Sequence, residues 1–169
     1  WEYKFLRRAF DDDPVVNLIS LLWVSDNKFF RQGIQDEVQL DSGFPLTKDE
    51  LYDYDAILIG SVEAPRFTSE QQQMIHDFVS ERGGSLLMIA GRKGLAAGGW
   101  DHSIVGNSLP VTLDSETEIF VRDKARVSMT PVGAMLVSLK LADNAQENMR
   151  LWSELPELSD YQTIGELKP

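Results

Sequence analysis

The chain has no cysteine. That absence excludes disulfides, thiolate nucleophiles and Cys-ligated zinc together, though it assigns no compartment. Histidine is almost as scarce: His76 and His102 are the two present, too few for a three-histidine zinc site. Basic residues number 16 against 27 acidic ones, giving a net charge of −11. So acidic a surface repels nucleic-acid phosphate and anionic lipid, and only Arg7-Arg8 and Arg92-Lys93 form tight basic pairs. Apolar runs stay well short of the ~18–20 residues that cross a bilayer. No signal-peptide pattern opens the sequence. The P-loop spacing, the G-x-G-x-x-G fingerprint and the G-x-S-x-G elbow are all missing. Nucleic-acid binding and direct membrane insertion by this segment are therefore not expected, and neither a metal nor a cofactor is implied.

What remains is an ordinary soluble composition. Of 169 residues, 43% are apolar and 25% charged, enough for one α/β domain over residues 1–169 with a full core. The ends suggest a fragment of a longer polypeptide. Trp1-Glu2-Tyr3-Lys4-Phe5 reads as the buried face of a helix already under way, and the sequence closes at Lys168-Pro169 just after an apolar patch.

Apolar spacing predicts a helix over 3–10, stopped by Asp11-Asp12-Asp13-Pro14. These acids read as a solvated helix stop in preference to a metal site. Residues 18–24 are almost continuously apolar, as in a strand buried on both faces of a parallel sheet. Residues 25–46 lack periodicity, and so long a loop is often functional or packs on a neighbour. Thr47-Lys48-Asp49-Glu50 and Thr68-Ser69-Glu70-Gln71 are capping-box patterns. The second opens a helix with Ile75, Phe78 and Val79 on one stripe, ended by Gly83-Gly84. With strands at 56–60 and 86–90 it forms a βαβ unit, whose crossover should be right-handed. Beyond it, Gly98-Gly99-Trp100 suggests a turn, and 104–109 one helical turn. Short strands are expected at 111–113, 118–121 and 126–129, the last two joined by a turn at Arg122-Asp123-Lys124, with a helix at 144–155.

Ligands of doubly wound sheets sit beyond the carboxyl ends of the strands. Three loops qualify, and they nominate a cleft of Asp26, Glu63, Gly91, Arg92, Lys93, Asp101 and His102. The competing reading is that these are solvated loop charges pairing with one another. Glycines in 91–99 fit a tight turn requiring positive φ better than a phosphate loop. His76 reads as a surface residue, and Ser61, directly after a strand, lacks the flanks of a nucleophile elbow.

Several segments in order resemble the class I glutamine amidotransferase-like superfamily. They are Tyr54-Asp55-Ala56-Ile57-Leu58-Ile59-Gly60, the helix start at 68–71, and residues 78–88 ending Gly83-Gly84-Ser85-Leu86-Leu87-Met88. Gly98-Gly99-Trp100 and then Leu109-Pro110-Val111 follow. More narrowly, the chain resembles amidotransferase-like domains inside large bacterial membrane proteins, on Trp1-Glu2-Tyr3-Lys4-Phe5-Leu6-Arg7-Arg8 and Leu151-Trp152-Ser153-Glu154-Leu155-Pro156. The resemblance implies a three-layer α/β/α sandwich with a mostly parallel, flavodoxin-like sheet, lacking terminal strands here. Active members carry G-x-C-x-G at the elbow with His and Glu completing a triad. This chain has Ala90-Gly91-Arg92-Lys93-Gly94, and Leu136-Val137 where related domains often hold His-Pro. A permanently protonated guanidinium cannot replace a thiolate.

The resemblance thus implies a catalytically inactive ligand-binding or interaction module of a larger, membrane-associated bacterial protein, on either side of the membrane. Its partners would be neighbouring domains of the same polypeptide, with a small polar ligand held by Arg92. Two alternatives stand beside it: a hydrolase using Glu63 and His102 in acid–base chemistry, and a structural domain that forms homo-oligomers through open sheet edges.

Overall fold

A computed structural model describes residues 2–11, 13–25, 28–113 and 120–169. The fold is mixed α/β, and its strands pair two by two. Two compact units divide the chain: Trp1–Ser115 with Ile164–Pro169, and Glu116–Thr163.

The first unit opens with α1 (Glu2–Phe10). Arg7 closes its last turn by pairing with Asp11 at 2.9 Å, while Asp13 caps the following turn through the Val15 N–H. Asp12, the middle of the acidic stop, lies outside the described residues. The expected buried aromatic face is not realised: no residue of α1 is buried, and Phe5 is 58% exposed.

β1 (Ser20–Ser25) departs from its expected place in a parallel sheet. It pairs antiparallel with β2 (Lys28–Gln32), with Ser25 opposite Lys28 and Trp23 opposite Phe29. Ser20 is the one buried position in the two strands and the others are partly or fully exposed, so the apolar run is not buried on both faces. The segment expected to be loop thus begins as the return arm of a hairpin.

The βαβ unit forms where the capping signals place it. α2 (Lys48–Tyr52) is capped by the Thr47 hydroxyl, which accepts from the Glu50 N–H. The Glu50 carboxylate accepts from Leu46 N–H, one residue outside the capping-box position. β3 (Ala56–Gly60) runs parallel to β4 (Ser85–Ile89), in register from Ala56 opposite Ser85 to Gly60 opposite Ile89. Between them α3 (Ser69–Ser80) carries a complete capping box: Thr68 Oγ1 accepts from Gln71 N–H and Gln71 Oε1 from Thr68 N–H. Gly83 turns the chain at φ +76, and Gly84 leaves room for the Phe78 ring, which a Cβ there would strike.

The core sits between α3 and this pair of strands. Ile57 and Ile59 from β3 meet Met74, Ile75 and Phe78 from α3, with Leu51, Phe67, Trp100 and Val105 closing around them. Met74 joins the predicted stripe, while Val79 lies at its partly buried margin. Buried Asp77 has its charge met by Lys48 at 2.7 Å and by Gln73 at 2.7 Å. His76 is not a free surface group: it is half-buried, and its Nδ1 lies 2.7 Å from Ser108 Oγ on the 3₁₀ turn Val105–Ser108. The 111–113 strand is reduced to a bridge between Val111 and Leu167.

In the second unit, β5 (Phe120–Val121) pairs antiparallel with β6 (Tyr161–Gln162). Residues 118 and 119 of the expected strand lie outside the described residues. No strand forms at 126–129; Ala125 bridges to Leu158 instead. The turn at 122–124 therefore does not join a hairpin, because β5 finds its partner some forty residues on. α4 (Ala145–Ser153) starts at Asn144, whose Oδ1 accepts from Gln146 and Glu147 N–H groups. Trp152 Nε1 donates to Leu139 O at 3.0 Å.

Candidate functional site

Parallel pairing brings the carboxyl ends of β3 and β4 side by side, and with them the loops at 61–63 and 91–94. Lys93 Nζ bonds Glu63 Oε1 at 2.8 Å, so these two predicted residues meet across the strand ends as an exposed ion pair. Arg92 is exposed, and its guanidinium has no partner among the described residues. The turn itself is closed by Gly94 N–H donating to Gly91 O at 2.9 Å.

The glycines divide their work. Gly94 and Gly99 do adopt positive φ, +71 and +82. Gly91 serves close approach instead: a Cβ there would lie 2.5 Å from Ser61 Cα. The ends of the two strands are pressed together at this point, and no side chain fits between them.

Trp100 locks the next turn beneath the site. It is 1% exposed, its Nε1 donates to Val62 O at 2.9 Å, and Gly99 abuts Ala64 and Pro65. Asp101 follows with its carboxylate almost buried, paired with His102 Nε2 at 3.1 Å; the His102 side chain is 87% exposed. Neither is joined to Glu63, Arg92 or Lys93 by a hydrogen bond or ion pair among the described residues. Among the described residues the predicted cleft therefore resolves into a Glu63–Lys93 pair, an Arg92 without a partner, and a separate Asp101–His102 pair. Asp26 lies outside the described residues.

Two residues at this edge stand out only in the structure. Ser61 adopts φ +48, one of two non-glycine residues described in the left-handed region, a conformation that costs ~1 kcal/mol or more. Its hydroxyl donates to the Glu2 carboxylate of α1. That bond holds the Glu2 carboxyl below its ordinary value of 4.5. The sequence hint was Ser61 directly after a strand; nothing local in sequence pairs it with a residue 59 positions away.

The long loop contributes a hollow of its own. Asp36, Gln39, Asp41, Glu50, Asp53 and Tyr54 are among the residues lining a space of about 300 Å³. Burial raises the Tyr54 phenol above its ordinary value, while Gln39 Nε2 donates to its oxygen at 3.3 Å. A second hollow, about 410 Å³, lies against Arg122, Lys124 and Glu157 in the second unit. No group of three or more histidine or acidic side chains among the described residues is arranged to hold a metal ion. No helix among them is long and apolar enough to cross a membrane.

Comparison of the chain with protein-family models, with curated proteins and with solved structures found no match.

Proposed function

We propose that this chain is a catalytically silent amidotransferase-like domain that binds a small anionic ligand at the carboxyl ends of its parallel strands. It would serve as a binding or interaction module of a larger, membrane-associated bacterial protein. In this reading the β3–β4 pair belongs to a three-layer α/β/α sandwich with a mostly parallel sheet. The observation that carries the proposal is Arg92: an exposed guanidinium, without a partner among the described residues, on the turn after β4, where amidotransferases of this type present cysteine. A guanidinium offers a planar fork of donors matched to carboxylate or phosphate, and offers no nucleophile. The Glu63–Lys93 pair supports it, since among the described residues Glu63 takes Lys93 and not Arg92 as its ion-pair partner.

The test is binding of small carboxylates to the wild-type chain and to Arg92→Ala. Loss of binding in a variant with unchanged thermal unfolding supports the proposal. Equal affinity in both removes Arg92 from the site.

A structural, self-associating role has its own supporting observation. In the second unit Val132, Met135 and Val137 are 70%, 80% and 79% exposed, a close run of large apolar side chains in solvent. Light scattering over a concentration series separates the two readings, since a strict monomer at high concentration argues against self-association. The acid–base hydrolase reading gains no such support, because Glu63 and His102 are each engaged by a different partner.

A further inference from the structure

We infer that the hollow in the long loop is a binding site for an aliphatic chain carrying two or more ammonium groups. It stands apart from the Arg92 turn, which is proposed to take an anion.

The first observation is the cavity. At about 300 Å³ it lies at the lower end of the ~300–1,000 Å³ range of small-molecule sites. Apolar side chains share its lining with acidic ones, and two of them, Val38 and Leu46, are 72% and 64% exposed. An aliphatic chain laid along them removes apolar surface from water while its charged groups reach the carboxylates. Lysine stems behave in the same way on protein surfaces.

The second is the state of those carboxylates. Residues 35–55 carry seven acidic side chains and one basic one, Lys48. Lys48 is engaged by Asp77 and Glu81, and the nearby Arg82 by Asp55. Asp36, Asp41, Glu50 and Asp53 line the hollow and have no ion pair among the described residues. Three of them act together on Tyr54. Burial raises its phenol most and the Gln39 bond opposes that rise, while the Asp53, Glu50 and Asp36 charges add to it. A concavity lined by one sign of charge concentrates the other sign. No three acids among the described residues are gathered to hold a metal ion. Spread charges of this kind suit several ammonium groups on a chain better than one bare ion.

The third is that the hollow is built before any ligand arrives. Gln71 Nε2, on α3, donates to Phe44 O at 3.3 Å and Pro45 O at 3.4 Å. The Phe44 ring meets the core ring of Phe67 edge-on, 5.0 Å between centroids. Arg31 Nη1, on β2, donates to Glu37 O at 2.9 Å and Gln39 O at 2.8 Å. The loop is thus tied to α3 on one side and to β2 on the other, which reduces the ordering cost of binding.

Free polyamines and closely spaced lysines of a partner polypeptide share this chemistry, and the experiment separates them. Spermidine and tetralysine are each titrated calorimetrically into the full wild-type chain at about 0.15 M salt, where charges beyond ~8 Å are screened. Spermidine should bind saturably. Asp53→Asn should weaken it about threefold, and Asp41→Asn combined with Asp53→Asn about tenfold, exposed ion pairs being individually modest. Both positions are exposed, so neither change disturbs the core. Asp160→Asn, which removes a charge outside the hollow, should leave the affinity unchanged. Binding of tetralysine but not spermidine, with the same dependence on Asp53, supports the site and assigns the ammonium groups to a partner polypeptide. Equal weakening by Asp160→Asn, or no saturable binding of either probe, overturns the inference and leaves the Arg92 reading standing.

Discussion

Trp100 concentrates several kinds of contact in one side chain. Its ring lies 5.7 Å from Phe67 between centroids, and its Nε1 reaches the Val62 carbonyl just before Glu63. Trp100→Phe should keep most of the packing and lose the bond, costing about 1 kcal/mol, since a part-buried carbonyl loses its donor. Denaturant unfolding would check it; no change would mean that the loop at 62–63 is held by other contacts. Phe78 is a larger test: it is fully buried, with Arg82 lying 5.2 Å over its ring. Phe78→Ala should cost about 3–5 kcal/mol by cavity formation. Residue-level legibility was uneven for a physical reason. Phe78 announced itself through helical spacing, and Arg92 through its position after a strand. Ser61 and Glu2 did not, because a left-handed φ on serine and a contact between distant segments leave no local pattern.

Elements with their own end signals were legible. Thr68 and Gln71 fix the start of α3, and Gly83-Gly84 its end, wherever the rest of the chain goes. Thr68→Ala should therefore cost about 1 kcal/mol, readable as a shift of the unfolding midpoint. The hairpin was missed because the apolar run at 18–24 fits a buried parallel strand as well as a half-covered antiparallel one. The signal that distinguishes them is Asp26-Asn27 between two strand-forming runs, residue types that suit a two-residue connection. Hydrogen bonding also has a titration consequence where α2 meets α3, and it outweighs the opposing effect of burial. The Lys48 hydrogen bond first, then Gln73, holds Asp77 below its ordinary 3.8; Asp77 and then Glu81 hold Lys48 above its ordinary 10.5. The Asp77 contribution is therefore full above pH 3.8 and is lost as pH falls through its lowered value. The Lys48 contribution is full below pH 10.5 and is lost as pH rises through its raised value. Thermal unfolding across pH should show a plateau between those limits, and Asp77→Asn should lower the plateau and reduce the acid-side fall, with Glu2, Glu70 and Glu147, also held below their ordinary values, supplying the remainder. An acid-side fall unchanged in that variant would place its origin in other carboxylates.

For the molecule as a whole, the charge of −11 sets the electrostatic background against which an anionic ligand must bind. Binding through Arg92 must overcome that long-range repulsion, so added salt should act in two opposing ways. Screening reduces the general repulsion and also weakens the direct pair, with a Debye length of about 10 Å at 0.1 M. Paired strands β3 and β4, joined through α3, are the framework on which the amidotransferase-like proposal stands, with the Arg92 turn as its proposed binding site. The direct measurement is an amide chemical-shift map of the full chain during a succinate titration. The account predicts saturable shifts centred on Ser61, Glu63, Gly91, Arg92 and Lys93, absent in Arg92→Ala. Shifts confined to the hollow at Asp36 and Tyr54 or to the one at Arg122 and Glu157, or no shifts at all, would contradict it.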